Sequence, residues 1–139
     1  MIVLDTNVIS ELFRPRPESR VVSWLEALDG DVAITAVTLA ELLAGVRRLP
    51  DGRRRSTLAI AIEAAIEPYR DARSVLPFDD QAADVYADIF AARAEVGLPI
   101  SMADAQIAAI CRTRHATCAT RNTKDFAHTG VDIVNPWDA

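Results

Sequence analysis

Short apolar runs alternate with helix-patterned segments along the whole chain. Strands separated by helices pair in parallel, and the helices then cover both faces of the sheet. Met1-Ile2-Val3-Leu4 is the first run, and it stops at Asp5. Thr6 to Phe13 follows as a helix, with Thr6 as its cap and Val8, Ile9, Leu12 and Phe13 at helical spacing. Two prolines between Arg14 and Pro17 break it. Ser19 to Leu28 forms a second helix on Val21, Trp24, Leu25 and Leu28, and Val32 to Thr35 is the second strand. Thr35 to Leu49 is helical and apolar nearly all round, which predicts burial. Arg53 to Arg73 is an alanine-rich helix that Pro68 would kink or end early. Val75 to Phe78 is a third strand, although Pro77 cannot donate to a ladder. Helices over Asp79 to Val96 and Ser101 to Arg114 follow, with strands at Ala116 to Ala119 and Val131 to Val134.

The length of 139 residues suits one α/β domain spanning residues 1–139. No apolar stretch approaches a membrane span, and the MIVLD start lacks a secretory leader's features, so the expectation is a cytoplasmic protein with no membrane partner. The two cysteines, Cys111 and Cys118, then read as buried free thiols. With His115 they invite a zinc site, but no second ligand pair follows.

Three carboxylates fall where a carboxylate is expensive. Asp5 ends a buried strand, at the sheet edge where open parallel sheets bind ligands. Glu41 is the one charge between Val32 and Val46. Asp104 shares a helix face with Ile107, Ala108 and Cys111, and that helix begins at the same edge as it leads into the fourth strand. After that strand, TRNTKDF brings Asn122 and Asp125 back to the edge. Clustered like charges raise one another's pKa, and a hard divalent cation relieves them. An all-oxygen donor set suits Mg²⁺ or Mn²⁺, whose chemistry is water activation and charge stabilisation on a phosphoryl group. A structural role competes: Thr38-Leu39-Ala40-Glu41 and Ser101-Met102-Ala103-Asp104 both match the capping box.

The segments MIVLDTNVISEL, TAVTLAELLAGV, ISMADAQIAAI and ATRNTKDF, in that order, closely resemble the PIN-domain ribonucleases, nearest to the VapC-like toxins of type II toxin–antitoxin modules. The resemblance covers essentially the whole chain. It implies a three-layer α/β/α sandwich on a parallel sheet of about five strands. It also implies Mg²⁺- or Mn²⁺-dependent endoribonuclease activity on an RNA substrate, neutralisation by a cognate VapB-like antitoxin, and assembly as a homodimer and a toxin–antitoxin hetero-oligomer. Carried over by position, Asp5, Glu41 and Asp104 match the acidic metal-site residues, and Thr6, Asn7 and Thr120 match the polar positions beside them. Family members often carry an aspartate two residues after the threonine matched by Thr120. Here that position is Asn122, and Asp125 is the candidate fourth catalytic acid. The departure leaves open a PIN-like RNA-binding or regulatory module of weak catalytic power.

The net charge of −5 averages an acidic edge with basic surroundings. Arg112, Arg121 and Lys124 lie close in sequence to the proposed site and are the candidate RNA contacts, while Arg47, Arg48, Arg53, Arg54 and Arg55 form the densest basic run. A dehalogenase-like phosphatase would need a second aspartate where Asn7 stands, and a response-regulator receiver would leave Glu41 without a role.

Overall fold

The computed structural model describes all 139 residues. Strand β1 (Ile2–Leu4) lies at the centre of a five-stranded sheet. β2 (Val32–Thr35) and β3 (Val75–Leu76) flank it on one side, and β4 (Thr117–Ala119) and β5 (Ile133–Val134) on the other, giving the order β3-β2-β1-β4-β5. Every pairing is parallel. The chain leaves β1 towards β2 and later crosses back to β4. The gap beyond the carboxyl ends of β1 and β4 is therefore the topological switch point, where such sheets leave a crevice.

Period-two alternation sends successive strand residues to opposite layers. Val3, Ala33, Leu76 and Cys118 pack with Ile89, Ile107, Ile110 and Phe126. That layer holds α5 (Asp80–Glu95) and α6 (Met102–Thr113). Leu4, Ile34 and Ala119 pack in the second layer with Val8, Val21, Leu42, Val46, Ile62 and Ile66. These last residues come from α1 (Thr6–Glu11), α2 (Ser19–Glu26), α3 (Ala36–Arg47) and α4 (Arg53–Asp71). The result is the three-layer α/β/α sandwich expected from the alternation of strands and helices.

Several local expectations change. Asp5, not Thr6, caps α1: its carboxylate accepts the Thr6 N–H at 2.8 Å. Thr35 caps α3 through the Thr38 N–H at 3.0 Å, so Thr38-to-Glu41 is not a capping box and Glu41 lies beyond the first turn. α3 is also not buried all round, because Ala40, Glu41 and Ala44 are exposed. α4 runs through Pro68 to Asp71. Pro68 and Ala64, whose carbonyl loses its donor there, are both exposed, so the helix accommodates the proline without burying an unpaired carbonyl. β3 stops at Leu76 because Pro77 has no N–H to extend the ladder. Ser101 caps α6 as expected, accepting the Asp104 N–H at 3.2 Å.

Cys111 and Cys118 are free and buried in the α5–α6 layer. No helix is long and apolar enough to cross a membrane.

Ile66 of α4 is fully buried in the half-core beneath that helix, whereas Ile60 on the same helix is 72% exposed. Ile66→Ala should cost about 3 kcal/mol in urea unfolding and Ile60→Ala under about 0.5 kcal/mol.

Candidate active site

The carboxyl end of β1 delivers Asp5 into the switch-point crevice, where only 3% of its surface is exposed. Its Oδ1 is occupied by the Thr6 N–H, and its Oδ2 accepts the Thr120 hydroxyl at 2.8 Å and the Asn7 side-chain amide at 3.1 Å. Thr120 is the first residue beyond β4. Its hydroxyl oxygen also accepts the Asn122 N–H at 3.0 Å, and the Asn7 side-chain Oδ1 accepts the Arg121 N–H at 3.2 Å. The exits of β1 and β4 are thus laced together around one carboxylate.

Glu41 reaches the crevice from the second turn of α3. The Thr6 hydroxyl donates to its carboxylate at 2.6 Å and stands 3.1 Å from the Thr38 hydroxyl. Asp104 enters from the first turn of α6. The structure brings Asp5, Glu41 and Asp104 to one crevice of about 370 Å³, together with Thr6, Asn7, Ser10 and Asn122. Asp125 sits in the 3₁₀ turn Thr123–Phe126, on the flank of Asp104, where its charge acts on that carboxyl rather than on Asp5.

Electrostatics agree with crowding. Burial raises the Asp5 pKa to about 6, against the hydrogen bonds from Thr120 and Thr6, and the charges of Asp104 and Glu41 push the same way as burial. Burial also raises Asp104; Asp125 and Glu41 add to this, while the Ser101 hydroxyl and the Arg93 charge oppose it. The Cys118 thiol is pushed well up by its hydrogen bond with Cys111 and by burial.

No three carboxylate, imidazole or thiol groups stand close enough to enclose an ion unaided. The donors in the crevice are carboxylate, hydroxyl and amide oxygens, with space beside them for water. That chemistry fits a hard divalent cation that keeps part of its hydration shell, and does not fit zinc.

Arg112 must be reassigned. α6 runs away from the crevice, so eight residues beyond Asp104 it lies about 12 Å along the helix, at the opposite sheet edge. There its guanidinium donates to the Thr129 carbonyl at 3.5 Å. Arg121 does stay at the crevice edge, with its guanidinium 5.1 Å above the centre of the Trp137 ring, a cation–π contact. Lys124 is exposed on the 3₁₀ turn that follows β4. Sequence patterning missed Arg93, which is 4% exposed on α5. It stands in register with buried Ala82 and Ile89, and a cation on an apolar stripe is the signal that would have found it.

The raised Asp5 pKa has a stability consequence. The folded chain binds this proton more tightly than the unfolded chain does. The stabilisation is complete below the ordinary value of 3.8 and is lost as pH rises to about 6 and beyond. In chelator, the stability of the wild-type chain relative to Asp5→Asn should fall by about 2–3 kcal/mol between pH 4 and pH 7 in urea titrations.

A family model described as the PIN domain matches residues 2–132. Toxin FitB of Neisseria gonorrhoeae is 44% identical over 138 residues, covering 99% of both chains. The VapC ribonuclease Y4jK of Sinorhizobium fredii is 41% identical over 139 residues, again covering 99% of both. Among solved structures, FitAB bound to an IR36 DNA fragment superposes with a TM-score of 0.92 at 42% identity, over 99% of this chain and 96% of that one. The sheet order, the laced β1 and β4 exits and these whole-length matches converge: the chain belongs to the PIN-domain family.

Proposed function

We propose that this chain is a metal-dependent endoribonuclease, the toxin of a toxin–antitoxin pair, which hydrolyses RNA phosphodiester bonds in the cytoplasm. The observation that carries the proposal is the meeting of Asp5, Glu41 and Asp104, from three separate elements, in one crevice at the switch point. Relatives of the same length named as a VapC ribonuclease and as a toxin support the activity and the biological role.

Asp5, Asp104 and Glu41 would hold Mg²⁺ or Mn²⁺, which supplies positive charge against the charge building on the phosphoryl oxygens and makes water a better nucleophile. The chain's own residues set the rest. Thr120 and Asn7 hold the Asp5 carboxylate in one orientation, leaving little rotamer freedom to lose on binding. Thr6 does the same for Glu41. Asn122 lines the crevice with a neutral amide, and Asp125 supplies a further carboxylate on the Asp104 side; their role in this reading is to orient the attacking water or complete the metal's shell. Arg121 and Lys124 hold the substrate backbone by its phosphates, so their contacts position RNA without selecting its sequence.

The antitoxin assignment follows the relatives, one of which is solved as FitAB on DNA. The surface we assign to the antitoxin is the open cleft of about 750 Å³ between the end of α1 and the start of α4, lined by Leu12, Phe13, Arg53, Arg54 and Leu58. Toxin chains paired within such a complex complete the proposed assembly.

Two measurements test the activity. Cleavage of total RNA in Mg²⁺ or Mn²⁺ should fall on the order of a hundredfold in Asp5→Asn and in Asp104→Asn, and stay unchanged in Asp71→Asn, on the exposed end of α4. Undiminished cleavage by the first two, or RNA binding with no cleavage by the wild type, would overturn the proposal. Separately, replacing Arg121 and Lys124 together should reduce the slope of RNA affinity against salt by about two phosphate contacts, with sequence preference unchanged.

A further inference from the structure

Arg93 is a buried cation with no acid in ion-pair contact: the three ion pairs of the chain are Arg14–Glu11, Arg55–Asp51 and Arg70–Glu63. Leucine or methionine at this position would fill the α5 stripe without the desolvation cost of a charge. Its partners are instead three main-chain carbonyls. Nε donates to Leu98 at 2.6 Å, and Nη1 donates to Asp125 at 2.6 Å and to Ala127 at 2.9 Å. Leu98 lies in the loop that ends at Ser101, the cap of α6, three residues before Asp104. Asp125 and Ala127 bracket the end of the 3₁₀ turn.

We propose that Arg93 is a positioning residue whose guanidinium fork joins the loop leading to Asp104 with the turn carrying Asp125, and so fixes the spacing of these two acids. The inference rests on the metal-site reading above. It extends that reading by explaining how an acid three residues beyond Asn122 is held in place on a surface turn. The turn does not need Arg93 to fold, because the Phe126 side chain is buried in the core and the Thr129 hydroxyl donates to the Phe126 carbonyl at 2.6 Å. What the fork adds is a fixed separation between Nε and Nη1, which a lysine ammonium cannot reproduce.

The test is Mn²⁺ binding to the full chain, read from the electron paramagnetic resonance of the free ion, together with hydrogen exchange at the amides of residues 125–127. Arg93→Gln should weaken Mn²⁺ on the order of tenfold, and Arg93→Lys should show a smaller loss. Exchange at those amides should quicken in both variants. Ile66→Ala, which loosens the other half-core, should leave affinity and local exchange unchanged. Because Arg93 spaces the two acids, its loss and that of Asp125 should overlap: Arg93→Gln combined with Asp125→Asn should weaken Mn²⁺ by less than the sum of the two single losses. Wild-type affinity in Arg93→Gln, or losses that add in the double variant, would overturn the inference. If Arg93→Gln fails to fold, Arg93→Lys alone and combined with Asp125→Asn decides by the same criteria. A wild-type chain that binds no Mn²⁺ would overturn the metal-site reading as well, whereas wild-type binding that the Arg93 variants leave intact overturns this inference alone.

Discussion

Two strand exits, β1 and β4, share the Asp5 carboxylate as their common acceptor. Thr6 and Asn7 approach it from the β1 side and Thr120 from the β4 side, and Thr120 and Asn7 in turn hold the main chain at Asn122 and Arg121. A carboxylate this deeply buried is costly, and these hydrogen bonds offset only part of the cost, as its raised pKa shows. The parallel sheet makes the arrangement available. With β1 central, the chain running from it to β2 on one side and only later crossing back to β4 on the other, the crevice stays open between the carboxyl ends of β1 and β4.

Strand alternation and the edge positions of Asp5 and Asp104 were legible because each depends on chain order alone. A strand of three residues and a helix entering its first turn leave little choice about which edge they address. Side-chain hydroxyls were less legible. Thr35 and Thr38 are both threonines at a strand–helix junction, and only the extended backbone at Thr35 makes it the cap. Taking Thr38 as the cap would place Glu41 in a helix-start role that it does not have. Glu41 is exposed, not buried, because an apolar composition does not specify which face of α3 has a neighbour. Arg112 failed for a related reason: closeness along the chain ignores the rise of an intervening helix.

Arg93 was readable by the same rule that singled out Glu41, a charge on an apolar pattern, and the contrast between them is instructive. On α3 the charge marks an open face; on α5 it marks a buried one. Periodicity alone does not separate the cases. Partner chemistry does: Glu41 meets a hydroxyl beside open solvent, whereas Arg93 meets three carbonyls that no helix or strand ladder uses. A guanidinium is suited to that task, since its forked donors engage several acceptors at fixed separations.

The neutral amide at Asn122 becomes intelligible in the same terms. A carboxylate there would be the fourth acid lining the crevice, and each added charge raises the cost of ionising Asp5, which desolvation already elevates. Asp125 places the extra negative charge on an exposed turn beside the half-buried Asp104, where water screens it. The cost of moving the acid outward is positional, because a surface turn wanders more than a residue hydrogen-bonded to Thr120. Main-chain anchoring of that turn by a buried cation answers that cost. Three inward acids, one outward acid and one buried arginine are then parts of one electrostatic arrangement, in which charge crowding is relieved at Asn122 and order is restored at Arg93.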